Sequence, residues 1–294
     1  MVVCMVLAAC EKEIKMDLPS TSNMLVANCL FSPDTVFKVY VSRSAKVLGT
    51  DARESIENAT VEIYKNEQIW ETLTHIDKGI YTSVKFPEAG MEYTLKVSAP
   101  GYESISASGV APEKTPLSNV TIKDSVYQYQ GINPIMYAKI SGEFPDPPSM
   151  ENYYLLELSY VDTFLLEISY FNPIVSGDVF RKINLIDKIN ENPVFSSKSA
   201  IGLMMTDELF NGKNYLFKAY FESRFLNTSV ESKKFTLNLK SLSKEAYYYY
   251  KTADMQISSE NNPFSEPARV YTNITNGLGI FAGYNVSKVE FKIK

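Results

Sequence analysis

A mainly β protein with two β-domains and one helix is predicted for this 294-residue chain, and three observations predict it. Short segments alternating apolar and polar residues recur from residue 24 onward, as half-buried strands require. Clusters of Gly, Pro and Asn separate them at turn-like spacing. Finally, 20 tyrosines and 16 phenylalanines supply the aromatic side chains that strands accommodate best. The expected division is an immunoglobulin-like β-sandwich over residues 24–110, a linker at 111–117, and a larger antiparallel β-domain over 118–294. For the larger domain a sandwich and an open barrel both fit short alternating strands. Hydrophobic residues at 45% and charged residues at 21% allow a sizeable core. A net charge of -5 with no basic tract argues against binding a nucleic-acid backbone.

The first residues, MVVCMVLAACEKEIK, form an apolar run that stops at Cys10 and turns charged at once. A spanning helix needs about 20 apolar residues, and a secretory core needs roughly 7 to 15 behind a positive flank. The run therefore reads as residues 1–9 of a truncated lipoprotein signal peptide. Leu7-Ala8-Ala9-Cys10 is a small-residue box before a cysteine, and lipidation of Cys10 is expected to anchor the chain in a bilayer. Residues 10–23, with their charges, Pro19 and small polar residues, are the expected anchor and tether. Processing would remove Cys4 and modify Cys10, leaving Cys29 as the one thiol, in an apolar run that suits a small buried hydrophobe.

Strands are expected at 24–31 and 37–41, and then over Ala59 to Tyr64. Asp77-Lys78-Gly79 turns the chain into Ile80-Tyr81-Thr82, and Pro87 to Gly90 turns it again before Tyr93 to Ser98. Two prolines in Ala111 to Leu117 mark the linker. Beyond it, Val120 to Tyr129 and Pro134 to Ile140 read as strands, and Phe144 to Pro148 as a rigid turn. The near copies LLELSY and LLEISY, at 155–160 and 165–170, are expected to be two neighbouring strands of one sheet. A short helix is expected within Val179 to Ile189, inside a long excursion at 172–200 that is a candidate partner contact. Strands resume at 201–205, 214–221 and 234–239.

The period then changes from two to that of a helix across LSKEAYYYYKTADMQ, so a helix is predicted near 242–257. Leu242, Ala246, Tyr249 and Ala253 would share its buried face. Tyr247, Tyr248 and Tyr250 would flank the core, and they are the candidate binding residues.

Residues suited to catalysis are sparse. His75 is the one histidine, which excludes multi-histidine zinc sites, and no G-x-S-x-G elbow accompanies it. Gly277-Leu278-Gly279 lacks the spacing of a dinucleotide loop and suits a tight bend before a strand at 280–284. Asp146 with Glu143, and Asp207 with Glu208, are carboxylate pairs without calcium-loop spacing. No catalytic residue, metal or cofactor is expected.

The segment Asn262 to Asn273 (NPFSEPARVYTN), followed by Asn276 to Gly283 (NGLGIFAG), resembles the closing signature of a family of Bacteroidota lipoproteins. That family is catalogued as domain of unknown function 4249. The likeness extends to Cys10-Glu11-Lys12-Glu13-Ile14 and to Asn152-Tyr153-Tyr154, and spans nearly the whole mature chain. Cys29 departs from it, standing where the family's early strand would carry glycine. Residues Pro263, Phe264, Glu266, Pro267, Asn276, Gly277, Gly279 and Phe281 form the motif, whose prolines, carboxylate and glycines read as structural.

The resemblance implies an outer-membrane lipoprotein, often paired with a TonB-dependent receptor, without an established catalytic residue. Around Asp77 to Tyr81 and Tyr93 to Tyr102 the first domain also resembles the carboxypeptidase regulatory-like sandwich. The charged residues after Cys10 resemble surface-export signals, which implies an outward-facing location. The expected function is thus a non-catalytic partner of a TonB-dependent transporter that captures a nutrient, peptide or glycan, or covers the transporter's entrance. An autonomous carbohydrate-binding or adhesive module is the alternative.

Overall fold

A computed structural model describes residues 24–44, 54–130, 133–148, 150–167, 174–183, 185, 195–199, 202–222, 234–260 and 269–292. Cys10, Pro263, Phe264, Glu266 and Pro267 lie outside the described residues. The fold is predominantly β, with sandwich-like packing of several sheets and, among the described residues, one helix toward the C-terminal end.

The first strands are β1 (Leu25–Phe31), β2 (Lys38–Arg43), β3 (Thr60–Lys65), β4 (Gln68–Thr72), β5 (Thr74–Asp77), β6 (Ile80–Thr82), β7 (Glu92–Ser98) and β8 (Ile105–Val110). Strict alternation in β1 buries Leu25, Ala27, Cys29 and Phe31 on one face. These pack with Val61, Ile63, Tyr93, Leu95 and Val97 of the four-stranded sheet β4-β3-β7-β8. Phe31 and Phe37 lie 4.9 Å apart at the centre, with Tyr93 5.3 Å from Phe37. Each fully buried Phe contributes about 1.5–3 kcal/mol.

The chain continues through β9 (Ser118–Gln130), β10 (Asn133–Pro145), β11 (Tyr153–Glu167), β12 (Ile174–Ile183), β13 (Phe195–Ser199), β14 (Gly202–Thr206), β15 (Asn214–Glu222) and β16 (Lys234–Leu242). Helix α1 (Lys244–Glu260) and the final strand β17 (Leu278–Lys292) complete it. A three-stranded sheet, β15-β10-β9, turns Ile140, Phe144, Phe217 and Phe221 toward Tyr154, Leu156, Leu158, Leu237 and Leu239. Two sheets face one another across this core, so the larger region is a sandwich rather than an open barrel.

Both small sheets cover parts of one long ten-stranded sheet, ordered β13-β14-β11-β16-β17-β1-β2-β6-β5 with β12 also paired to β11. Its central joint is the parallel pairing of β1 with β17, in register from Val26 opposite Leu278 to Phe31 opposite Gly283. The first and last strands of the fold are therefore adjacent. The expected linker at 111–117 joins β8 to β9, and it is tied down. Asn285 donates to the Pro112 carbonyl at 3.1 Å, Ser241 donates to Thr115 Oγ1 at 3.0 Å, and Ser287 donates to the Thr115 carbonyl.

Three local expectations are corrected. LLELSY and the start of LLEISY belong to the single strand β11 rather than to two neighbours. Val161 to Phe164 contains no Gly or Pro, and the same parity runs from Tyr154 through Phe164 and Leu166, so nothing turns the chain. The helix expected within 179–189 is strand through Ile183, because β12 pairs with β11 from Leu158 opposite Ile183 to Glu167 opposite Ile174. Pairing along the edge of β11 gives this segment hydrogen-bond partners, whereas a short helix would have to nucleate alone. Finally, Tyr247 rather than Tyr249 is the fully buried tyrosine of α1.

Candidate functional site

Helix α1 starts where β16 ends. Ser243 accepts the Ala246 amide on Oγ at 3.2 Å and the Tyr247 amide on its carbonyl at 3.0 Å, which makes it the N-cap. Its own amide donates to the Gly283 carbonyl at 3.0 Å, fixing the first turn on β17. Glu245 lies in that turn, where a carboxylate complements the helix dipole. Ala246, Tyr247 and Asp254 are buried at helical spacing, with Tyr248, Tyr249 and Tyr250 half-buried around them. At the other side, the Tyr271 amide donates to Thr252 Oγ1 at 2.8 Å, so the returning chain is joined to the helix.

A shelf of tyrosines results between helix and sheet. The ring of Tyr153 lies 4.8 Å from Tyr247 and 6.2 Å from Tyr248, and Tyr248 lies 5.9 Å from Tyr271. Further along the same face, Lys240 Nζ is 2.7 Å from Glu157 Oε2 and 5.4 Å from the centre of the Tyr284 ring. Tyr250 stands 6.0 Å from that ammonium. Of the three candidate tyrosines, Tyr247 is core, whereas Tyr248 and Tyr250 retain exposure.

Burial pushes the phenols of this face up. It is the largest cause at Tyr153, followed by Glu151 and Tyr248; Glu157 comes second at Tyr250 and Tyr284, and Glu245 at Tyr271. Phenols raised in this way are neutral at physiological pH and present flat apolar faces with hydroxyl tips. The Tyr153 hydroxyl is buried, with Glu151 and Tyr248 beside it.

The glycine motif lies on the opposite side of the β1–β17 joint. Asn276 and Gly279 take positive φ of 59° and 111°, and a Cβ on Gly279 would stand 2.0 Å from the Ala27 carbonyl oxygen. A Cβ on Gly277 would stand 2.8 Å from the Leu25 carbonyl oxygen. Phe281 then drives into the first core, 4.8 Å from Phe31. Asn273 acts as a one-residue strand, donating to the Phe281 carbonyl at 2.8 Å and accepting the Phe281 amide at 3.0 Å. These residues close the fold rather than line the tyrosine shelf.

The carboxylates singled out from the sequence also serve the fold. Asp146 accepts the Tyr154 hydroxyl at 2.6 Å and the Gly212 amide at 2.8 Å, and Asn152 donates to Asp207 at 3.2 Å. Glu143 accepts from Asn119 and, at 2.8 Å, from Asn214. Desolvation raises the Asp146 carboxyl above its ordinary value, partly opposed by the Tyr154 and Gly212 hydrogen bonds. Its contribution to stability is therefore complete below the unfolded value, about 3.9, and is lost as pH rises through the higher folded value. Asp146→Asn should remove that declining component, seen as a flatter dependence of melting temperature on pH above 4, roughly the unfolded value.

His75 accepts the Gly79 amide on Nε2 at 3.3 Å and packs 5.1 Å from Tyr81, so it braces a turn. Burial pushes the Cys29 thiol up to about 12, an inert side chain. Among the described residues no group of three His, Cys, Asp or Glu could hold a metal, and no helix is long and apolar enough to cross a membrane.

The Glu157–Lys240 pair and the Asn273 clamp are absent from the sequence reading. Glu157 had a signal: it is a charge inside the apolar run Tyr153 to Leu158, which needs a partner if both sheet faces are covered. Asn273 had none, since its role depends on a strand eight residues further on.

No curated protein matches the sequence. A model of the domain of unknown function DUF4249 matches residues 11–290, so that both sandwiches, α1 and nearly all of β17 fall within one match: the chain belongs to the DUF4249 family.

Proposed function

We propose that this protein is a lipid-anchored, outer-membrane accessory, facing the cell surface, which works with a TonB-dependent transporter by capturing a nutrient or covering its entrance. The carrying observation is the tyrosine shelf, whose neutral phenols and buried ion pair suit recognition rather than bond making. Support also comes from the box ending at Cys10, where a diacylglycerol would supply the two acyl chains that stable anchoring takes. The resemblance around Asn276 to Gly283 motivates the transporter partnership.

Mild-detergent affinity purification of the lipidated chain from native outer membranes, with mass spectrometry, tests the reading. A TonB-dependent receptor in near-equal amount is expected, and Cys10→Ala should reduce its recovery by releasing the chain from the membrane. Repeated isolation of the protein alone would shift the reading to an autonomous glycan-binding or adhesive module, which the exposed parts of Tyr248 and Tyr250 would serve.

A further inference from the structure

We propose that the outer face of the three-stranded sheet β15-β10-β9 is a docking surface for an acidic oligosaccharide, one that carries carboxylate or sulfate groups. This surface is separate from the tyrosine shelf. The inner face of the sheet, with Ala138, Ile140 and Phe217, packs on the ten-stranded sheet, and α1 lies on the far side of that sheet. Alternation therefore turns Lys139 and Ser141 of β10 outward. The register sets Tyr220 and Lys218 of β15 opposite these two residues, and Lys123 and Thr121 of β9 opposite them on the other side. Three ammonium-bearing residues and a phenol thus share one face with the Thr121–Ser141 hydroxyl pair, whose oxygens are 3.0 Å apart.

This face holds positive charge that the fold leaves without a counter-charge. Lys123 stands directly opposite Lys139, and like charges at such a spacing, about 5 Å between Cβ atoms, destabilise a sheet. Among the described residues no ion pair holds Lys123, Lys139 or Lys218. Glu143, on the same face of β10, accepts from Asn119 and, at 2.8 Å, from Asn214 rather than from a lysine. In a chain of net charge -5 the face is locally positive, and an acidic ligand supplies what it lacks.

The form of the face selects a sugar chain. Strands lie about 4.8 Å apart, so lysines on all three spread over about 10 Å, the reach of an extended ligand rather than one small anion. Tyr220 adds a half-buried aromatic of the kind sugar rings pack on, and the two hydroxyls donate or accept as sugar hydroxyls require. A nucleic-acid backbone engages about 6–10 phosphates, more than three lysines meet. An acidic peptide would use the lysines and leave the ring and hydroxyls idle.

The test is a ligand-observed NMR titration of the full chain in mild detergent with hexagalacturonate, its methyl ester, a heparin hexasaccharide and a hexaglutamate peptide. Both acidic sugars should bind with a submillimolar Kd, the tighter one identifying carboxylate or sulfate as the group preferred. The methyl ester should bind about thirtyfold more weakly, about threefold for each exposed ion pair, and hexaglutamate more weakly than either acidic sugar. Raising salt from about 50 to about 200 mM should weaken the acidic sugars about tenfold. Lys123→Gln and Lys218→Gln should each weaken them about threefold. Lys123→Gln should do so without lowering the melting temperature, because it relieves the like-charge pair; a lysine kept for the fold alone would not behave so. Lys288→Gln, at an exposed position on β17, should leave affinity unchanged. Equal binding of the acid and its methyl ester, no binding of either acidic sugar, hexaglutamate binding as tightly as the sugars, or equal losses in the Lys288 and Lys123 variants would overturn the proposal. Transporter recovery in the purification is a separate readout: if it persists while acidic-sugar binding fails, this surface loses its ligand and the partnership stands.

Discussion

Gly279→Ala is expected to lower the stability of the folded chain by about 4 kcal/mol, enough to approach unfolding in a protein of ordinary stability. Two costs coincide at this position. The backbone φ of 111° is a region that L side chains rarely adopt, and the added Cβ would stand 2.0 Å from the Ala27 carbonyl oxygen. That oxygen belongs to β1, so relief requires the terminal strands to separate where Ala27 stands opposite Gly279. Gly101→Ala provides the comparison: φ is 83°, but nothing lies within 4 Å of a Cβ there. The strain alone should then cost about 1–2 kcal/mol, and the difference between the two denaturant midpoints measures the close approach. Equal midpoints would remove the close-packed joint from this account of the fold.

That joint shows which features the sequence made legible. Alternation in Leu25 to Phe31 and in Thr60 to Lys65 identified strands and their buried faces, because period two is a property of each strand alone. Asn276 and Gly277 were correctly placed ahead of a strand, since left-handed turns select Asn and Gly locally, but Leu278 and Gly279, read as part of the bend, lie inside β17, where Gly279 pairs with Ala27. Pairing of β1 with β17 was not legible, because neither strand carries information about a neighbour some 250 residues away along the chain. The long strand β11 was misread for a related reason: a repeated string suggested two elements, while the decisive fact was the missing breaker between them.

The tyrosine shelf was half legible. Four consecutive tyrosines on a helix announced an aromatic face, and the buried one was misassigned by two positions. Phase was set by Ser243, which caps the helix and hydrogen-bonds to Gly283, and not by the apolar residues within it. With that anchor Ala246, Tyr247 and Asp254 turn inward and Tyr249 rotates toward the rim. Tyr153 and Tyr271 joined the shelf from distant segments, so the candidate site consists of residues that no single stretch of sequence displays together.

Lys240→Ala should be the second large perturbation, at about 3 kcal/mol. Its ammonium lies 2.7 Å from a Glu157 side chain that is 7% exposed, and removing it deprives a buried carboxylate of its cation. The same change removes the ammonium that stands 5.4 Å from the Tyr284 ring and 6.0 Å from that of Tyr250. Replacing both partners, with Lys240→Met and Glu157→Leu, should recover most of the loss, because no buried charge then remains to be solvated. The double-mutant cycle, read from denaturant midpoints, should therefore give a coupling of about 2 kcal/mol or more. Additive effects would mean that Glu157 is held mainly by other neighbours.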